Sequence, residues 1–336
     1  MGYSDYISRG DASALIPEET AREIIQGAVE QAAVLQLGRR LPDMASGVTR
    51  TPVLSVLPSA YFVTGVPGGG SGSGDVDKGL KQTTKAMWEN QYLNAEEIAC
   101  IVPIPETVLD DANYDIWGEV KPRIVEAIGG VIDRAVFWGT NAPAAWPVDI
   151  YDACVAAGNT TALTDPFDAV MGVGGLISLV EEDGYFVTGH ASAVQTRAVL
   201  RGLRTPGPEG IPIFATLNGG VSGGEQEKTR YTLDGQPMIF PRNGAFDGAL
   251  SPIITGDWTQ LVYAFRQDIT WKILTEAVIT DEFGQIVFNL PQQDMVALRA
   301  VMRLAWQVPN PINRINDDAT TRYPFSVLTG AFGSGS

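Results

Sequence analysis

Apolar residues recur at helical spacing in two long segments of the chain and at strand-like spacing in its last third. Between Asp115 and Gly139 the positions Ile116, Val120, Ile124, Ile128, Val131, Ala135 and Trp138 fall three or four residues apart, one continuous stripe. That stripe predicts the longest helix of the chain, with Gly139 as the glycine that ends it. Pro122 interrupts it. An interior proline costs about 3 kcal/mol, so the expectation is a bend, or a short helix ending at Val120 and a new one carrying Pro122 in its first turn. Residues 17–36 (PEETAREIIQGAVEQAAVLQ) predict an earlier helix, with Pro17 at a permitted N-terminal position and acids in the first turn. Its stripe of Ala21, Ile24, Ile25, Ala28, Val29 and Ala32 is narrow and alanine-rich, suited to lying along another surface.

Residues 48–64 read as extended, because Pro52 and Pro58 exclude a helix. The Gly/Ser tip Gly68–Gly74 follows, and a second extended segment returns from Lys78 through Pro105. Two strands joined by a glycine-rich tip predict a hairpin. A two-stranded hairpin is marginal alone, so this one is expected to rest on a partner. After Asn141 the pattern predicts a helix near 166–182, a strand at 185–188, a helix near 191–202 and a strand at Pro237–Pro241, a small α/β layer. The last third is mostly strand: Trp258–Phe265, Ile269–Ile279 and Gln285–Leu290 carry β-branched and aromatic residues. The segment DMVALRAVMRLAWQV fits a strand in that context, although its spacing also fits a helix.

Composition narrows the chemistry. The chain has 336 residues, enough for about two domains, with 23 Lys+Arg against 39 Asp+Glu for a net charge of −16. Such acidity argues against a nucleic-acid-reading surface, which needs clustered cations. No apolar run approaches a membrane span and no signal peptide opens the chain. Cys100 and Cys154 are too few for a disulfide framework and point to a reducing compartment. His190, the single histidine, has no nucleophile elbow beside it, because Gly189-His190-Ala191-Ser192-Ala193 does not read G-x-S-x-G. Three His and Cys residues far apart in sequence do not make a zinc site. The Gly/Ser tip lacks the G-K-[ST] ending of a phosphate loop. The pairs Glu181-Glu182 and Asp317-Asp318 read as solvated faces, since adjacent residues point apart. No catalytic residue, cofactor or metal is expected.

The order of parts resembles the tailed-bacteriophage major capsid proteins of the Hong Kong 97-type fold. LIPEETAREII is similar to the opening of their arm, ETVLDDANYDIWGEV and IDRAVFWGTNAP to the start and end of their spine helix. GYFVTGHASAVQTRAVL resembles the entry to the axial domain, and LDGQPMIF, ITGDWTQLVYAFRQDITWKI and DMVALRAVMRLAWQVPNP the return to the peripheral one. The match runs over roughly residues 13–332, and its specificity lies in the order and spacing of these phrases. The resemblance implies an α+β capsid fold with an N-terminal arm (1–46), an E-loop hairpin (47–99), a peripheral domain with the spine helix (100–141 and 262–302) and an axial domain (142–261 and 303–336). It implies pentamers and hexamers closing into an icosahedral virion shell around double-stranded DNA, without sequence-specific binding, membrane contact or catalysis. Assembly is expected in the host bacterial cytoplasm with a portal, a separate scaffolding protein and in some cases a decoration protein. The separate scaffold is inferred from an arm that begins about a dozen residues after Met1. Intersubunit contacts are expected from Ile24, Ile25, Ala28 and Val29 of the arm and from Lys78, Lys81, Lys85 and Trp88 of the hairpin.

One departure from the family pattern concerns covalent chemistry. Some members join an E-loop lysine to a neighbour's asparagine with a glutamate as base, and Lys78 or Lys81 supplies a matching amine. Here Asp294 stands at the asparagine position and Val301 at the glutamate position. An ionised carboxylate is a poor acyl acceptor and valine takes no proton, so this crosslink is not expected. The rival readings are an encapsulin shell around cargo enzymes, an α/β enzyme, and a tail or decoration protein. DNA-filled tailed particles separate the first from a capsid; the absent nucleophile–base pair and the long spine helix weigh against the others.

Overall fold

The computed structural model describes residues 32–60, 83–111, 115–163, 166–202 and 231–330. The predicted arm helix up to Gln31, the Gly/Ser tip and Lys78 and Lys81 lie outside these, so Ile24, Ile25, Ala28 and Val29 have no structural account here. The chain enters through a short helix α1 (Ala33–Leu37) and a two-residue strand β1 (Arg39–Arg40). The hairpin strands β2 (Val48–Val56) and β3 (Met87–Asn94), the strand β4 (Glu96–Pro105), helix α2 (Glu106–Asp111) and the long helix α3 (Ile116–Trp138) follow.

Local chemistry fixes both ends of α3. The Asp115 carboxylate accepts from the Gly118 N–H at 3.0 Å, and Gly139 closes the helix at φ 63°, where a side chain would be strained. The helix is continuous through Pro122, so the two-helix alternative does not hold. Proline there leaves one carbonyl, that of Gly118, without its helical donor, and Gly118 is exposed to water. The stripe also shifts by one residue. Val131 is 45% exposed while Ile132 is 1% exposed, because four steps from Ile128 stay on the buried face better than three. Ile116, Ile124, Ile128 and Ala135 are buried as the spacing predicts, whereas Val120 and Trp138 sit at the margin.

The middle of the chain holds α4 (Ile150–Ala157), β5 (Thr160–Ala162), α5 (Pro166–Met171), α6 (Leu176–Glu182), β6 (Gly189–Ser192), α7 (Thr196–Gly202), β7 (Tyr231–Leu233), β8 (Gln236–Ile239) and β9 (Ile253–Gly256). The single helix expected over 166–182 is two helices. Gly174 takes φ 74°, and a Cβ on Gly175 would stand 2.7 Å from the Asp168 carbonyl, so the turn between them needs glycine. The strand expected at 185–188 instead occupies Gly189–Ser192, which delays the following helix to Thr196. This strand is buried throughout and, apart from His190, built of small residues, so it shows no alternation. Gly189 lets the Trp258 ring approach, since a Cβ would lie 3.1 Å from it.

The last strands are β10 (Val262–Leu274), β11 (Val278–Thr280), β12 (Ile286–Asn289), β13 (Met295–Gln307) and β14 (Phe325–Thr329). The strand reading of DMVALRAVMRLAWQV is correct. Two expected strands, Trp258–Phe265 and Ile269–Ile279, are largely one: β10 absorbs the polar Arg266-Gln267-Asp268 interruption in register shifts, while Trp258 precedes it and Ile279 belongs to β11. Leu290 sits in a 3₁₀ turn beyond β12. One sheet has the order β1-β10-β13-β4, antiparallel except for β1; a second has the order β5-β14-β9-β6-β8-β7. The limits drawn at 99/100 and 302/303 fall within β4 and β13, whose pairing continues across both.

The core joins these sheets. Leu298, Ala300, Met302, Leu304 and Trp306 form the even-numbered face of β13 and cluster with Ile124, Ile128, Ile132 and Val136 of α3. The far end of α3 reaches the second sheet, where Phe137 meets Trp258 edge-on at 6.1 Å and Trp258 meets Phe325 at 5.1 Å. Segregated helices and mostly antiparallel sheets make the class α+β.

Besides the β1–β10 pairing, a buried carboxylate fastens the entering chain to this core. Asp133, fully buried on α3, accepts from the backbone N–H groups of Ala33 and Val34 at 2.9 and 3.1 Å and from Asn243 Nδ2 at 2.7 Å. One turn earlier Gly129 has no side chain, and a Cβ there would lie 3.1 Å from the Ala32 nitrogen. Asp133→Ala strands these buried donors, so it is expected to cost about 3–5 kcal/mol. Calorimetry of the subunit, with tryptic cleavage at Arg39 and Arg40 as the local readout, checks it.

Candidate assembly interface

The hairpin is braced at its base by its own chain. Leu93 is buried among Met44, Val262, Ala264 and Ala305, and Gln307 Nε2 donates to Gln91 Oε1 at 3.2 Å. Trp146 Nε1 donates to the Asn94 carbonyl at 3.2 Å, and Asn94 Nδ2 donates to the Ala145 carbonyl at 2.8 Å. Farther out, the Ile312 N–H reaches the Leu54 carbonyl at 3.1 Å and Arg314 Nη2 the Pro58 carbonyl at 2.6 Å. The base of the hairpin is thus supported within the subunit, in addition to the partner the sequence leads one to expect. Its opposite face is a different matter. Register places Val48, Arg50, Pro52 and Leu54 across from Asn94, Tyr92, Asn90 and Trp88, and Trp88, Val48 and Tyr92 are 64%, 53% and 51% exposed. Lys85 is exposed just before this strand.

A second hairpin, β11–β12, has its turn held by local hydrogen bonds. The Asp281 carboxylate accepts from the N–H groups of Phe283 and Gln285, and Gly284 turns at φ 77°. The order is spent on holding apolar groups outward: Phe283 is 79% exposed and Ile286 65%. Large apolar groups on ordered projections mark surfaces that a second molecule covers. Sequence spacing missed both: Phe283 stands singly between Glu282 and Gly284, and Ile286 opens the apolar run Ile286-Val287-Phe288, which does not show which of its members faces solvent. Asp294 immediately precedes β13 and Val301 lies in its middle. Asp294 is exposed at φ 49° and its carbonyl accepts from the Glu106 N–H at 2.9 Å, whereas Val301 is buried between Thr270 and Ala99.

The titratable groups inside the subunit serve the fold. His190 lies within β6, fully buried, with Nε2 3.1 Å from the Leu233 carbonyl and Nδ1 3.0 Å from Thr255 Oγ1. The carbonyl only accepts, so Nε2 carries the proton and Nδ1 accepts from the threonine hydroxyl. Both ring nitrogens are thereby occupied. Burial pushes its pKa down to about 4, against a smaller upward pull from the Leu233 carbonyl. Burial likewise raises the thiols of Cys100 and, more strongly, Cys154. Asp183 accepts from Asn159 Nδ2, Asn316 Nδ2 and the Tyr323 N–H, holding the segment before β14 to α6. Among the described residues no group of His, Cys, Asp and Glu is placed to hold a metal ion, and no helix is long and apolar enough to cross a membrane.

Two outcomes are expected from these placements. Trp88→Ala removes an exposed ring, so the subunit's melting temperature stays within the small range of surface substitutions, about 0.5 kcal/mol, while self-association measured by sedimentation weakens. For His190 the unfolded chain takes up a proton near pH 6.5 and the folded chain only near pH 4. Its contribution is full above that window and is lost as pH falls through it. His190→Gln flattens the pH dependence of unfolding there by about 3 kcal/mol at most, measured by denaturant titrations across the window.

Known proteins share the fold. A family model described as the phage capsid family matches residues 12–314. The major capsid protein of Staphylococcus phage 80alpha is 26% identical over 298 residues, covering 86% of this chain and 80% of that protein. A solved chain from Microbacterium phage Oxtober96 is 33% identical with a TM-score of 0.74, covering 97% of this chain and 99% of its own. One from Mycobacterium phage Bobi is 27% identical with a TM-score of 0.73, covering 98% of this chain and all of its own (100%). Matches over this much of both chains extend to the braced hairpin, the capped helix and the long strands together, and the chain belongs to the phage capsid family.

Proposed function

We propose that this chain is the repeating subunit of a tailed-phage head, closing as pentamers and hexamers into an icosahedral shell around double-stranded DNA. The observation that carries the reading is the pair of ordered projections, β2–β3 and β11–β12, which hold Trp88, Tyr92, Phe283 and Ile286 in solvent on a fold of the capsid family. Interfaces of stable assemblies bury on the order of 1,600 Å², and such elements supply area that one subunit cannot cover. In this reading residues 1–46 form the arm, β2–β3 the E-loop, the four-stranded sheet with α3 the peripheral domain, and the six-stranded sheet the axial domain. The arm residues Ile24, Ile25, Ala28 and Val29 and the hairpin residues Lys78, Lys81, Lys85 and Trp88 contact neighbours. A portal and a scaffolding protein, and in some heads a decoration protein, are its partners in a head built in the bacterial cytoplasm that becomes part of the virion. The role is structural and non-catalytic.

Electron microscopy of the purified protein is the test. Closed shells with five- and six-fold capsomers support the proposal, and monodisperse subunits under all assembly conditions refute it. The shell is held by noncovalent contacts, because Asp294 and Val301 supply neither an amide acceptor nor a base. Particles boiled in denaturant with reductant are expected to run as one band at 35.9 kDa; a ladder of capsomer-sized bands would show that other residues do this chemistry.

A further inference from the structure

The four-stranded sheet has a second face, turned away from α3, and among the described residues only its two ends are covered. Met44 and Leu93 pack over Ala305 at one end, and Phe288 and Leu290 pack around Ala297 at the other. Between them, three rows of side chains cross β10, β13 and β4: Lys272–Arg299–Ile101, Thr270–Val301–Ala99 and Gln267–Arg303–Glu97. Lys272, Arg299, Thr270, Ala99, Ile101 and Glu97 are exposed, and Ile101 and Val301 give the middle of the face an apolar floor.

The charges on this face are unbalanced in one row. Arg303 is satisfied, donating from Nε and Nη2 to Glu97 Oε2 at 2.9 and 2.6 Å. Lys272 and Arg299 instead stand directly opposite each other, and among the described residues neither forms an ion pair. Like charges facing across a strand pair destabilise a sheet, and Ile101 beside them adds no counter-charge. A chain with 39 acids against 23 bases has thus set two cations side by side on an open, partly apolar face.

We propose that the Lys272–Arg299 row is a docking seat for carboxylates of a second copy of this chain, so that the repulsion inside one subunit becomes attraction between two. The inference rests on the shell reading above. Charge complementarity selects the occupant: a copy carrying −16, with 39 acids against 23 bases, has carboxylates in excess to offer. Packaged DNA fits less well. Phosphate binding draws on many cations arrayed along the backbone, whereas this row has two, and the same face carries Glu97 two rows away. Covering Ile101 and Val301 at the same time excludes water and strengthens the pairing.

Lys272→Glu tests it, because the variant replaces the repulsive cross-strand pair with an attractive one to Arg299. The subunit's melting temperature is then expected to hold or rise, while the concentration needed for shell assembly rises at least roughly tenfold. Lys272→Arg keeps the charge and is expected to assemble as wild type does. Lys272→Glu shells forming at the wild-type concentration overturn the proposal. So does lost assembly accompanied by a lower melting temperature, which places the effect in the fold. Normal Lys272→Glu shells that no longer protect DNA from nuclease assign the row to phosphate and overturn it as well. Wild-type protein that forms no particles defeats the shell reading and this inference together, whereas wild-type shells matched by variant shells defeat this inference alone.

Discussion

The contact between one face of α3 and the even-numbered residues of β13 positions everything else in the subunit. Ile124, Ile128 and Ile132 meet Leu298, Ala300, Met302 and Leu304 along most of the helix, and Phe137 carries the same contact into the second sheet through Trp258 and Phe325. Two sheets therefore share one helix as a common spine. Buried aromatic and aliphatic groups of this size are worth about 2–5 kcal/mol each against truncation, and they are concentrated on a single seam. Asp133 sits on the same helix and ties the entering chain to it through two backbone amides.

Concentrating the core on one seam leaves other surfaces unserved. The hairpin β2–β3 is anchored through Leu93 and Gln91, and its remaining face shows Trp88 and Tyr92 to solvent. The β11–β12 turn is ordered by Asp281 yet points Phe283 outward. Local hydrogen bonding thus fixes the shape of elements whose apolar groups gain nothing inside the subunit. A subunit of this design has its recognition geometry already set, which lowers the ordering entropy lost on association.

Legibility in the sequence followed the range of the interactions. Helix α3 was readable because both its caps are local, Asp115 bonding three residues on and Gly139 turning left-handed. The ladder of β13 was readable only with its neighbours, since its apolar run fits a helix equally well. Where readings failed, a partner distant in sequence decided. The buried strand Gly189–Ser192 carries no period because both of its faces are covered, and Gly189 is dictated by Trp258. Three glycines split α5 from α6 at a turn that periodicity does not see. The role of Asp133 was hidden for the same reason. Its one signal was a carboxylate beside the apolar stripe, one turn after a glycine, and its partners lie about a hundred residues away. The family order of phrases integrated these long-range constraints, which single segments do not display.

The charge of the chain bears on how such subunits come together. Copies each carrying −16 repel at long range, but at physiological salt that repulsion fades beyond a Debye length of about 8 Å. Association is then governed by what lies within contact distance: exposed aromatic groups on fixed projections, and the few places where cations stand unneutralised. Net repulsion with local attraction keeps each pairwise contact weak. A weak contact breaks readily, so a misplaced subunit is released before others trap it, and only a closed array accumulates enough contacts to persist. Acidity of this size is therefore compatible with assembly, and it keeps free subunits soluble while their apolar projections remain uncovered.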